Sequence, residues 1–160
     1  MKIESLSYVS IETTDLQEWD DYAKNVVGLM KNESLSDDHN LYLRMDEKAF
    51  RFHIQTGGSK KFIAAGLNIR GKEEFEVAKN ELTSANIDFA DFSDELIAAR
   101  CVKNGITLKD PAGNALEISY GGADADEPFL SPQDIKGFIT KGLGFGHVVF
   151  AAPDLESAHS

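Results

Sequence analysis

Few side chains in this 160-residue chain have the chemistry to hold a metal or move a proton near neutral pH: four histidines, His39, His53, His147 and His159, and one cysteine, Cys101. His53 lies in "FHIQTGG" and Glu117 in "LEISYGG", and aligning the two Gly-Gly pairs sets these residues opposite one another. A histidine and a glutamate at matching positions are a candidate metal pair, or a hydrogen-bonded remnant of one. His39 falls in the polar turn "SDDHN" and His159 one residue from the end of the sequence, while Asp37, Asp38 and Asp46 read as turn residues. The spacing offers no Ser-His-Asp arrangement. A single cysteine excludes an internal disulfide and a thiolate cluster, and is expected to be a small buried thiol in a reducing compartment.

The elements that must position these groups repeat. Residues 3–13 alternate as a strand, and "TTDLQEWDDYAKNVVGL" then takes helical spacing with Leu16, Trp19, Ala23, Val26 and Val27 on one face, Asp15 as N-cap and Gly28 as the stop. Strands are expected at about residues 31–35, 40–45 and 50–56, which makes a βαβββ module. The order returns with "FIAAGLNI", a helix over "GKEEFEVAKNELTSAN", and strands at "IDF", "CVKNGITLKD" and "NALEISY", the last two joined by a "DPAGN" turn. The fold class is therefore α+β, built from paired βαβββ modules at residues 1–58 and 59–122. Trp19 and the phenylalanines sit at core spacings. Residues 123–142, acidic and broken by Pro128, Pro132 and Gly137, read as a linker.

Composition narrows the partners. With 42% hydrophobic and 27% charged residues, the chain can bury one good core or two small fused ones. A formal net charge of -11 argues against nucleic acid, whose phosphates need clustered Lys and Arg. The sequence shows neither an apolar run of bilayer length nor a signal peptide, so no membrane partner is expected and the cytoplasm is the default compartment.

After the linker the opening motif returns: "FGHVVFAAPDLESA" from Phe145 lines up with "LSYVSIETTDLQEW" from Leu6, pairing Tyr8 with His147 and Asp15 with Asp154. Residues 143–160 are thus expected to begin a third module, with a strand and the first turn of a helix. Together, the module order, "DPAGNALEISYG" and "EPFLSP...IKGFITKGLGFGHVVF" resemble the two-domain type I extradiol ring-cleavage dioxygenases of the vicinal oxygen chelate superfamily, in particular the 2,3-dihydroxybiphenyl 1,2-dioxygenase group.

That resemblance implies four modules in two barrel-like, cup-shaped domains, of which only the carboxy-terminal one binds Fe(II), through two histidines and a carboxylate, to cleave a catechol-type diol with O2 by meta cleavage. His147 matches the first iron ligand. The other ligands, the acid–base histidine and the substrate-orienting tyrosine would lie beyond Ser160. The chain by itself is therefore expected to hold no catalytic residue, to bind no iron and to be inactive, as the non-catalytic domain of a homo-oligomer. Within residues 1–122 the equivalent ligand positions are Tyr8, His53, about Gly66 and Glu117, and two of these four cannot ligate iron readily. Two other readings stand beside this one: a stand-alone module that binds a small aromatic ligand without turnover, and a structural piece that makes oligomer contacts.

Overall fold

The computed structural model describes residues 1–140, 144–154 and 156. The expected α+β arrangement is present, and the chain divides into two compact units. The first unit contains residues 8–63 and 123–145; the second contains residues 1–7, 64–122 and 146–160.

In the first module β1 (Ser5–Thr13) leads into α1 (Leu16–Tyr22), followed by β2 (Met30–Lys31), β3 (Asn40–Arg44) and β4 (Phe52–Thr56). β1 and β4 run parallel with Ser10 opposite His53, and β3 pairs antiparallel to β4 with Tyr42 opposite the same histidine. Asp15 caps α1 by accepting the Glu18 N–H at 3.0 Å, and Gly28 closes it at φ +83°, a conformation that favours glycine. Between them Ala23–Val27 winds as a π-helix. That wider turn alters the register of the apolar stripe: Leu16, Trp19 and Ala23 stay on the core, but Val26 and Val27 turn out, 64% and 38% exposed. The core they leave joins Ala23, Leu29, Leu41, Leu43 and Ile54.

β2 is much shorter than the strand expected over residues 31–35. Buried Asn32 ends it, because its Oδ1 accepts from Ser34 Oγ at 2.8 Å and from the Leu35 N–H at 3.3 Å, turning the chain away from the ladder.

The second module repeats the plan with β5 (Lys61–Asn68), α2 (Lys72–Ser84), β6 (Phe89–Asp91), β7 (Asn104–Lys109) and β8 (Ala115–Tyr120). β5 runs parallel to β8 with Gly66 opposite Glu117, and β7 is antiparallel to β8. Phe75, Ala78 and Leu82 of α2 pack on Ile69, Ile106 and Ile118. The "DPAGN" turn forms as expected: Asp110 accepts the Asn114 N–H at 2.7 Å and Gly113 takes φ +87°. An additional helix, α3 (Asp94–Arg100), stands between the strands expected at "IDF" and "CVKNGITLKD", where the sequence suggested no element.

Residues 146–150 lie outside helix and strand, so the strand expected there is not formed among the described residues. The beginning of the expected helix falls at residues 155 and 157–160, outside the described residues.

Candidate functional site

Alternation along β1 sends Val9 and Ile11 toward the α1 side and Tyr8 and Ser10 to the opposite face, where register brings His53 and Tyr42 alongside. His53 is buried, 3% exposed, and stacked on the Tyr42 ring at 4.5 Å. Its Nδ1 lies 3.1 Å from Ser10 Oγ and its Nε2 lies 3.0 Å from Asn40 Oδ1. The Asn40 amide is oriented by Asp37, which accepts from its Nδ2 at 3.1 Å, so the atom facing the ring is an acceptor. Nε2–H therefore donates to Asn40, and in the neutral ring Nδ1 accepts the Ser10 hydroxyl proton. Both ring nitrogens are in use, leaving no lone pair for a metal.

Below this histidine lies a set of buried charges that sequence reasoning missed. Arg51 grips Asp46 with Nε at 3.0 Å and Nη2 at 2.6 Å from Oδ2, both side chains buried. Asp46 thus lies in a turn, as expected, but is buried there. Burial alone would raise its pKa, but the Arg51 hydrogen bonds and charge outweigh it and hold the carboxyl below its usual range. Arg44, 2% exposed, is satisfied by the carbonyls of Lys48, Asp46 and Glu127.

In the second unit Glu117 occupies the position of His53. It is 4% exposed, and Arg100 of α3 donates to it twice, Nε to Oε2 at 2.7 Å and Nη2 to Oε1 at 3.0 Å. This bidentate clamp occupies both carboxylate oxygens. Register also refines the third position: Gly66 lies opposite Glu117 as Ser10 lies opposite His53, so the residue matching Tyr8 is Ala64, two residues earlier. Neither can ligate iron.

The remaining candidates are dispersed. His39 is exposed in its turn, as expected, and His159 lies outside the described residues. Cys101 is half-buried in the left-handed cap of α3 rather than fully buried; burial pushes its thiol up, so it stays protonated and unreactive, close to the Ala98 carbonyl. His147 is exposed in an irregular segment. Among the described residues no group of three or more His, Cys, Asp and Glu stands where it could hold a metal ion. The residues present do not fit a two-histidine, one-carboxylate iron site: His53 and Glu117 are committed to protein partners and His147 offers one imidazole.

A sequence signal for the charged pairs did exist. Arg44 and Glu117 fall at buried positions of strands and Arg51 just before β4, where a charge must find a counter-charge. The partner of Glu117 was hidden because α3, a seven-residue helix, was not recognised.

Comparisons with known proteins agree with the resemblance read from the sequence. Residues 6–57 match the family model described as dihydroxybiphenyl dioxygenase BphC D1. The chain is 34% identical to an iron-dependent extradiol dioxygenase of Rhodococcus jostii, over 99% of this chain and 52% of that protein. It is 35% identical to a biphenyl-2,3-diol 1,2-dioxygenase of a Pseudomonas species, over 99% of this chain and 54% of that protein. A crystal structure of a catechol 2,3-dioxygenase superposes with a TM-score of 0.93 at 31% identity, covering 99% of this chain and 56% of its own. The fold is that of the vicinal oxygen chelate dioxygenases. The chain spans about half the length of the relatives it matches.

Proposed function

From this similarity to one half of extradiol dioxygenases, we propose that the chain is the amino-terminal, non-catalytic domain of an Fe(II)-dependent extradiol dioxygenase, followed by the start of its catalytic domain. The complete protein opens a catechol-type ring, such as that of 2,3-dihydroxybiphenyl, with O2 by meta cleavage, as a cytoplasmic homo-oligomer. The observation that carries this reading is the match to a catechol 2,3-dioxygenase over 99% of the chain at a TM-score of 0.93. In this reading His147 is the first iron ligand, and the other ligands come from the half that the relatives carry in addition. Residues 1–122 supply a folded scaffold. The two groups there that could have ligated a metal are held by Ser10 and Asn40 in one unit and by Arg100 in the other.

The same commitments disfavour a stand-alone ligand-binding module, because His53 and Glu117, the polar groups best placed to hold a ligand, are already bonded to protein side chains.

The test supplies Fe(II) and 2,3-dihydroxybiphenyl anaerobically to the 160-residue chain and to a longer protein that includes the following modules, then admits O2 and follows the yellow ring-cleavage product. The longer protein is expected to turn over and the 160-residue chain to stay inert. Turnover by the short chain, or none by the long one, would overturn the assignment.

A further inference from the structure

The segment between the second module and His147 is bonded to the first unit along most of its length. The Ala49 N–H donates to the Ala123 carbonyl at 3.0 Å and the Ala125 N–H to Glu47 at 2.9 Å. Arg44 Nη2 reaches the Glu127 carbonyl at 2.8 Å. Farther on, Ser131 Oγ donates to the carbonyl of Gly28, the cap of the π-helical turn, at 2.8 Å, and Gln133 Nε2 donates to the carbonyl of Lys24 within that turn at 3.1 Å. Phe138 packs against the first core. Thr140 is 5% exposed and lies beside the Asp46 carboxylate that Arg51 already holds, where it helps to keep that carboxyl below its usual range. Phe145 sets its ring edge-on to Phe52 of β4, with centroids 4.7 Å apart.

Two of these contacts stand at the segment's end. A buried hydroxyl placed on an ion pair and an aromatic ring on the sheet are directional contacts that cannot slide, unlike a rim of exposed polar groups. We propose that Thr140 and Phe145 are positioning residues, which moor the chain on the first module and fix the point from which His147, two residues past Phe145, is presented. The proposal rests on the reading that His147 serves the reacting centre of a longer protein. Its physical basis is that a reacting group on a loose tether samples many orientations, whereas one fixed close to its root samples few.

Three variants test it: Thr140→Val, which keeps the shape and removes the hydroxyl, Thr140→Ser, which restores it, and Phe145→Ala. In the 160-residue chain, amide exchange over residues 133–140 should quicken by about tenfold in the valine and alanine variants while β3 and β4 keep their protection, and the serine variant should exchange as the wild type does. In the longer protein, with 2,3-dihydroxybiphenyl, Thr140→Val and Phe145→Ala should lower kcat by about tenfold with KM and melting temperature near wild type, and Thr140→Ser should recover kcat. Unchanged exchange would overturn the mooring. Faster exchange with unchanged kcat would overturn the positioning role while leaving the proposed function standing, and a wild-type longer protein without ring cleavage would overturn both.

Discussion

Removing Arg100 leaves the Glu117 carboxylate buried with no counter-charge, and breaking one side of a buried pair costs far more than replacing both. R100M should lower stability by about 3–5 kcal/mol in urea unfolding, and R100M/E117M should recover most of it. If R100M unfolds like the wild type, the clamp is not a stabilising one. The Asp46–Arg51 pair makes a different prediction, in pH. Burial would raise the Asp46 pKa, but Arg51 brings the folded value below the unfolded one. Its contribution to stability is therefore complete above the unfolded carboxylate pKa of about 3.9 and is lost as pH falls through the folded value. D46N should be less stable at neutral pH and show a shallower acid limb, so that the gap from wild type narrows as pH is lowered; a gap that stays constant would assign the effect to something other than ionisation. Sequence alone made His53 and Glu117 legible as a related pair, since repeat alignment needs only their identity and spacing. It did not show what holds them, because Ser10, Asn40 and Arg100 reach them through pairing and helix placement that carry no local signature.

Most elements were legible because periodicity and caps agree with the structure: Asp15 and Gly28 bound the first helix, and "DPAGN" forms its turn. Two helical features were not. The π-helical turn leaves no mark in an apolar pattern that suits an α-helix equally well, yet it moves Val26 and Val27 off the core. V26K should consequently change stability by no more than about 0.5 kcal/mol, where an α-helical register facing the core would make it severely destabilising; thermal melts distinguish the two. α3 is too short for a periodic signal, but its ends were marked. Ser93 accepts the Leu96 N–H at 3.3 Å, Asp94 and Glu95 occupy the first turn and Arg100 the last, all arranged to suit the helix dipole. S93A should cost about 1 kcal/mol. A related constraint ties the connection before α3 to the sheet: Phe92 lies flat against Gly105 of β7, where an added methyl would overlap its ring. G105A should therefore cost about 1–3 kcal/mol through overpacking. Unfolding of G105A at the wild-type midpoint would mean that Phe92 can move aside.

At the scale of the molecule, the segment read as an interdomain linker is where sequence and structure part most. Proline, glycine and acidic residues do describe a chain that forms no helix or strand, and that much was legible. What they do not report is docking. Arg44 is buried in the first module and takes the Glu127 carbonyl, Thr140 lies beside Asp46, and Phe138 packs on the core with Trp19 and Phe52. These contacts come from residues 123–140 and go with them. A chain ending at residue 122 should then lose the buried Arg44–Glu127 hydrogen bond, of about 1–3 kcal/mol, besides the burial of Phe138, and unfold several degrees lower than the 160-residue chain. A chain ending at residue 140 keeps these contacts and should melt close to the 160-residue chain. A true tether would give three similar melting temperatures, because removing solvated chain that touches nothing costs nothing. The ordering 122 well below 140, with 140 near 160, would establish residues 123–140 as part of the first unit's own fold; equal midpoints for 122 and 140 would return them to the role of a linker.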